Sequence, residues 1–287
     1  MPLALDEPLA ESAPLAQELS KRCRIGPDGV SCAWSHGLWQ YLRLLGLVTS
    51  PSHQAEFYRA AFARLAVPSP RVLVSGAADY SMLAVVLAAC RSSGAEPAVT
   101  VIDVCETPLA LSRWYAARAS AAIETHAADI RDFTAREPFD VVCSDNFFGR
   151  FPRAERPAVA ARWASLLRRD GVAVTVNRIR AEGGEGPVRF SSAQASAFVE
   201  TVRQAARASA ALSALGEQIA DRAAAYAQRH FTYPMSSAEE LRGDFESAGF
   251  AVEQLDTASA AGGNRQASSG PSVRGFQSYA RLVARRA

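Results

Sequence analysis

Four short segments of the chain combine residue types and spacing in a way that points to a ligand site. The first is Ser75-Gly76-Ala77-Ala78-Asp79-Tyr80-Ser81. Its small residues let a backbone turn sharply and approach a ligand closely, although a plain tight turn has the same composition and GxGxxG is absent. The second is Asp103-Val104, whose aspartate lies 27 residues after Gly76. A carboxylate there accepts hydrogen bonds from ribose hydroxyls, or else caps a helix. The third, Asp129-Ile130, offers a carboxylate for an adenine amino group and an aliphatic side chain to lie on the ring. The fourth, Ser144-Asp145-Asn146-Phe147-Phe148, brings polar groups for the amino acid end of a cofactor and two rings to face a reaction centre. Each is weak alone. In this order and together they predict a nucleoside-binding site.

The elements that must carry these segments alternate along the sequence. Strands are predicted at Val72-Leu73-Val74, Val99–Ile102, Ile123–His126, Phe139–Cys143 and Val172–Val176, with helices at 81–92, 108–121 (Thr107 as N-cap) and 153–169 between them. Such alternation predicts an α/β fold: a Rossmann-like, doubly wound, mostly parallel sheet whose ligands bind beyond the carboxyl ends of the strands. Helices near 15–24, 33–47 and 53–65 predict an N-terminal helical cap or lid over 1–66, ahead of the α/β domain at 67–287. Residues 181–235 break the rhythm as a helical insertion on the substrate side. It opens with a loop at Gly183, Gly184, Gly186 and Pro187 and continues as one Ala-rich helix over 192–229. The alternation then resumes with a helix at 238–248 capped by Ser236, a strand at 251–255, a loop at 258–271 and a last, antiparallel strand at 275–284.

With these segments and elements, the sequence resembles the class I S-adenosylmethionine-dependent methyltransferases over roughly 71–180 and again from Ser236 onward. The resemblance implies S-adenosyl-L-methionine as cofactor, with the Gly76 turn at its methionine part, Asp103 at ribose and Asp129 at adenine. Ser75, Ala77, Val104, Ile130, Ser144 and Asp145 complete that expected set. The first motif departs from the family pattern: Val74 stands where an acidic residue is frequent, and Ala78 and Tyr80 replace later glycines. A dinucleotide dehydrogenase, the nearest rival, predicts GxGxxG and does not explain the helix–strand–strand ending.

The substrate side is read from aromatic and polar residues. Trp34, Trp39 and Tyr41 in the cap, with Phe147, Phe148 and Arg178, are expected to line the pocket; packed core tryptophans are the competing reading for the cap. His36 or Arg43 would meet a carboxylate, and His36, Asn146 and Tyr80 are the candidate catalytic residues. Phe147, Phe148, Phe151, Trp34 and Tyr80 offer ring faces to a sulfonium. No NPPY-type motif, Ser/His/Asp triad, Walker loop or metal-ligand spacing is present, so no metal is expected.

The remaining bulk features exclude whole classes. There are 31 basic and 29 acidic residues, a net charge of +2, and Lys21 is the only lysine, so no basic face for nucleic acid is expected. The five cysteines, Cys23, Cys32, Cys90, Cys105 and Cys143, are odd in number and show no CxxC spacing, which argues against a disulfide framework or structural zinc. Residues 1–12 lack the basic start and apolar run of a signal peptide, and no charge-free run of about 18 apolar residues occurs. The expectation is a cytoplasmic protein acting on a small molecule, without nucleic acid or membrane, a homodimer being left open. Three functions compete. The first is methyl transfer to a small biosynthetic metabolite. The second uses S-adenosylmethionine without methylating, by aminocarboxypropyl transfer or cyclisation to azetidine-2-carboxylate with release of methylthioadenosine. The third is a non-catalytic scaffold with an exposed apolar stripe on the 192–229 helix.

Overall fold

The structure is a computed structural model that describes residues 5–26, 29–65, 67–180, 186–233, 235–259 and 278–287. Strands β1 (Arg71–Ser75), β2 (Ala98–Asp103), β3 (Ile123–Ala127), β4 (Phe139–Asp145), β5 (Leu167–Ile179), β8 (Phe250–Ser259) and β9 (Ser278–Arg286) form a seven-stranded sheet. Between β5 and β8 the chain adds β6 (Val188–Arg189) and β7 (Phe231–Thr232), a separate antiparallel pair. The seven-stranded order is β3-β2-β1-β4-β5-β9-β8. Every pairing from β3 to β5 is parallel, and β9 runs antiparallel between β5 and β8. Only β9 is antiparallel to both neighbours, as the sequence reading expected of the last strand.

The central strands are continuous apolar runs because helices cover both faces of the sheet. Val72, Leu73 and Val74 are all fully buried. On one face Val72, Val74 and Val101 pack with α3 (Ala55–Phe62), α4 (Ser81–Ser92) and α5 (Glu106–Arg118). On the other, Leu73, Val142 and Ala173 pack with α6 (Arg156–Leu166) and α9 (Ala238–Ser247), chiefly through Trp163 and Phe245. α9 begins at Ala238, as expected, but its cap is Ser237 rather than Ser236: Ser237 Oγ accepts from Glu240 N.

A third apolar cluster joins the N-terminal region to the insertion. Leu38, Tyr41 and Leu42 of α2 (Ala33–Leu44) meet Phe198 and Val202 of α7 (Ser192–Ala208) and Ile219, Ala223 and Tyr226 of α8 (Gly216–Arg229). The single long helix expected over 192–229 is therefore two, broken at 209–215. A continuous helix would leave the stripe of Phe198 and Val202 in water; folding back buries it against α8 and α2. The exposed stripe required by the scaffold reading is thus absent from these helices. The first helix also differs from expectation: α1 spans Leu9–Ser20, starting after Pro8 and containing Pro14. Pro14 lies past the first turn, where its missing N–H leaves the residue 10 carbonyl without its helical bond. Residues 258 and 259 extend β8, whereas the rest of the loop expected at 258–271, and Gly183 and Gly184, lie outside the described residues. Among the described residues no helix is long and apolar enough to cross a membrane.

Candidate functional site

In sheet order, the carboxyl ends of β3, β2, β1, β4 and β5 present Asp129, Asp103, Gly76, Asp145 and Arg178. At ~4.8 Å between strands this row is about 19 Å long. All five residues border one cavity of about 460 Å³. Gly76 turns the chain with φ +75°, in the left-handed region that glycine enters at little cost. A Cβ there would lie 2.3 Å from the Phe147 ring, so the turn also depends on that close approach. Asp103 fastens this turn to its own loop: Oδ2 accepts from Ala77 N at 3.0 Å and Oδ1 from Cys105 N at 2.8 Å. Burial pushes its carboxyl above the ordinary value, against the opposing pull of His36 and the two N–H groups. Asp129 is instead held low, first by hydrogen bonds from the Arg131 side chain, which reaches Oδ2 at 2.7 Å and Oδ1 at 3.0 Å.

At the tip of β4, Asn146 takes a left-handed φ of 53°, which asparagine tolerates better than most residues. Its Oδ1 accepts from Arg178 N at 2.8 Å and its Nδ2 donates to Asp145 Oδ2 at 2.8 Å. Tyr58 donates its hydroxyl to the Ser144 carbonyl at 2.9 Å and lies 3.2 Å from Asp145 Oδ1. Burial lifts Asp145 to about 6 in spite of these donors. Beyond it lie Arg178 on β5 and Arg180, two residues on and just past the strand's end, both bordering the cavity. Burial lowers both, Arg180 to about 10. The wall opposite is aromatic: His230 stacks on Tyr226 at 4.7 Å, and Trp34 meets Tyr226 edge-on at 5.5 Å. Burial, and then Arg150, Arg180 and Arg178, push His230 down to about 3. It is a neutral ring in a positive potential.

Of the residues singled out from sequence, Trp34, His36, Trp39, Gly76, Ala77, Asp103, Val104, Asp129, Ile130, Asp145, Asn146, Phe147 and Arg178 border the cavity. Five side chains do not. Ser75 is buried and accepts from Trp163 Nε1; Ser144 pairs with Thr175. Tyr80, a catalytic candidate, stacks on Tyr115 at 4.7 Å with its hydroxyl at Ser12, because the start of α4 turns it toward α5. Tyr41 donates to Gln17 and belongs to the cap's apolar cluster, and Phe148 packs among Trp163 and Phe245. Arg43 meets no ligand carboxylate: it is buried against Asp79 at 2.9 Å and Glu7. Arg180 and Tyr279, which border the cavity, were missed as site residues; alternation along a strand running past Val176 is the signal that would have found Arg180.

Sequence spacing also missed a cluster at the cavity rim. Cys23, Cys32, Cys105 and His36 bring three thiols and an imidazole within 4.8 Å of one another. His36, a catalytic candidate, turns Nδ1 to Cys23 Sγ at 3.3 Å. Burial would lower its basicity, but Cys105 and Cys23 outweigh that and raise it to about 10. Hydrogen bonds from Cys23 and Cys32 drive Cys105 far below the ordinary thiol value.

A family model described as a methyltransferase domain matches residues 83–171. No curated protein matches the sequence. Among solved structures, the cyclase SpnF is 13% identical over 96% of this chain and 93% of its own, with a TM-score of 0.52. TehB from Haemophilus influenzae is 14% identical over 80% of this chain and 61% of its own, with a TM-score of 0.50. Magnesium protoporphyrin IX methyltransferase from Synechocystis PCC 6803, solved with bound SAM, is 14% identical over 82% of this chain and 80% of its own, with a TM-score of 0.47. At these identities the structural likeness is one of fold. The methyltransferase-domain match lies within the sheet, over residues 83–171, and the strand order, with the site at the strand tips, is that of a Rossmann-like methyltransferase fold.

Proposed function

We propose that this protein is an enzyme that methylates a small, anionic metabolite at the expense of S-adenosylmethionine. The observation that carries the reading is one continuous cavity of about 460 Å³, which joins the Gly76–Asp103–Asp129 strand tips to the chamber of Trp34, Tyr226, Arg178 and Arg180. The residues present fit the cofactor. Gly76 leaves the turn bare of a side chain, Asp103 has both oxygens fixed by backbone N–H groups, and the 42% exposed Val104 offers an aliphatic surface beside Asp129 and Ile130.

When bound, S-adenosylmethionine supplies an electrophilic methyl carbon on a cationic sulfur. The chain supplies position, dryness and a proton acceptor. Asp103 and Asp129 hold sugar and purine, and Phe147 and Trp34 give ring faces suited to positive charge. α2, α7 and α8 shield the chamber from water, which strengthens every charge inside it. Arg178 and Arg180 attract an anionic acceptor. Trp39 Nε1, a buried donor with no partner among the described residues, gives it a further anchor. Asp145 is ionised above about 6 and takes the proton that a hydroxyl or ammonium acceptor must lose.

The test is incubation with S-adenosylmethionine, alone and with a panel of small carboxylate and phenolate acceptors, and identification of the nucleoside formed. S-adenosylhomocysteine dependent on an acceptor is expected. Methylthioadenosine would overturn methyl transfer while keeping the cofactor, and no turnover with tight binding would overturn the enzyme reading.

A further inference from the structure

We infer that Cys23, Cys32, Cys105 and His36 form a structural zinc site that fastens the N-terminal cap to the cofactor loop. Cys32 and His36 stand i, i+4 at the start of α2 and so face the same way. The bridge between Ile25 and Ser31 folds the preceding segment back, bringing Cys23 to the same point. Cys105 arrives from the β2–α5 loop, two residues after the expected ribose ligand.

The geometry suits a tetrahedral ion. Cys32 Sγ and Cys23 Sγ lie 3.5 and 3.6 Å from Cys105 Sγ, and His36 Nδ1 lies 3.3 Å from Cys23 Sγ. With Zn–S bonds of about 2.3 Å, the sulfur–sulfur edge of a ligand tetrahedron is about 3.8 Å, so the two sulfur pairs at 3.5 and 3.6 Å need to open by only a few tenths of an ångström, and all four donors already lie within 4.8 Å of one another. A disulfide requires sulfurs about 2.05 Å apart and would leave one thiol and the imidazole over. Three sulfurs and one nitrogen from four protein groups close the coordination sphere. That is the pattern of a structural zinc centre rather than of a catalytic site with an open position. Thr107 Oγ1 lies 3.1 Å from Cys23 Sγ, within hydrogen-bond reach as a supporting contact.

The segment also needs such a fastening. Among the described residues of 21–32, Cys23 alone is fully buried, and Ile25 is 69% exposed. Little apolar surface fixes this stretch, yet it frames the cavity beside Asp103. Metal binding supplies the ordering free energy that packing does not. The site does not depend on which group the enzyme transfers.

The test uses the full chain without a metal-binding tag, purified under reducing conditions and reconstituted with zinc. One zinc per chain is expected by elemental analysis. Cobalt in its place should give the intense visible bands of a tetrahedral thiolate complex. Cys32→Ser and His36→Asn, with folding checked by circular dichroism, should weaken zinc binding by more than the roughly 10–100-fold that losing an outer-shell partner costs. Cys90→Ala, outside the cluster, should retain the metal. Substoichiometric metal after reconstitution, a cobalt spectrum lacking the tetrahedral bands, or unchanged affinity in the folded Cys32→Ser and His36→Asn variants would overturn the assignment.

Discussion

Replacing Asp145 by asparagine should make the protein more stable and less active, and the size of the stability change follows from the site. Burial raises this carboxyl from the ordinary 3.8 to about 6. Between those values the folded chain binds more protons than the unfolded chain, so this group's contribution to stability falls as pH rises. The loss is complete above about 6 and amounts to about 3 kcal/mol, at 1.36 kcal/mol for each tenfold in proton affinity. Asparagine removes the charge but cannot accept from both present donors. Its amide oxygen can still take the Tyr58 hydroxyl, while its amide nitrogen would face Asn146 Nδ2. Asn146 cannot simply rotate, because its Oδ1 is engaged by Arg178 N. One lost bond costs about 1 kcal/mol, leaving a net gain of about 2 kcal/mol at pH 8. Urea denaturation of both proteins at a series of pH values isolates this group, since Asp244, also lifted to about 6, is common to both. Asp145→Asn should be the more stable above about 6, and the advantage should shrink toward the ordinary carboxylate range. If the two denaturation curves keep a constant separation across that range, Asp145 is not a buried charge and its role as proton acceptor goes with it.

Two further outcomes test the nucleoside side. Asp103→Ala should weaken S-adenosylmethionine binding by about 1–3 kcal/mol through loss of a charge-assisted bond, read by calorimetry; unchanged affinity would remove the ribose assignment. Gly76→Ala should weaken binding as well. A non-glycine residue at its left-handed φ costs about 1–2 kcal/mol, and the added methyl meets Phe147. Adding Phe147→Ala should restore part of the stability in thermal melts but not the conformational part, and full restoration would show that the backbone carries no strain.

The strand tips were legible in the sequence because local chemistry and global fold agree there. Val72-Leu73-Val74 is an apolar run too short for a helix and is followed at once by small residues. Asp103 ends β2 and Asp129 follows β3 by two residues, and the strand–helix alternation alone locates both strands. What stayed illegible depends on partners distant in sequence. Tyr80 and Phe148 sit where a loop enters a helix or a tight turn, and neither the two-residue nor the 3.6-residue period says which way such a side chain points. Tyr80 turned to Tyr115, and Phe148 to Trp163 and Phe245. Arg180 was hidden for a different reason: β5 continues beyond its apolar run because β9 pairs with it as far as Ile179.

The thiol–imidazole cluster marks the limit of reading spacing along one segment. Cys32 and His36 alone had a local signature, four apart at a helix start, and that spacing is common by chance. Cys105 lies 73 residues from Cys32, and nothing in its own neighbourhood distinguishes it from a small apolar residue following a strand-end aspartate. The cluster becomes visible only when α1 packs against α5 and α2, which carries the Cys23 segment across the end of β2. The same packing decides what the cap can do. Arg43 fixes one end of it to Asp79 in the first strand-tip loop, and the four donors fix the other end to the second. A cap tied at both loops that frame the cofactor side is a wall of the cavity. Its motion is coupled to the turns at Gly76 and Asp103 rather than independent of them, so substitutions in the cap should register in cofactor affinity as well as in acceptor choice.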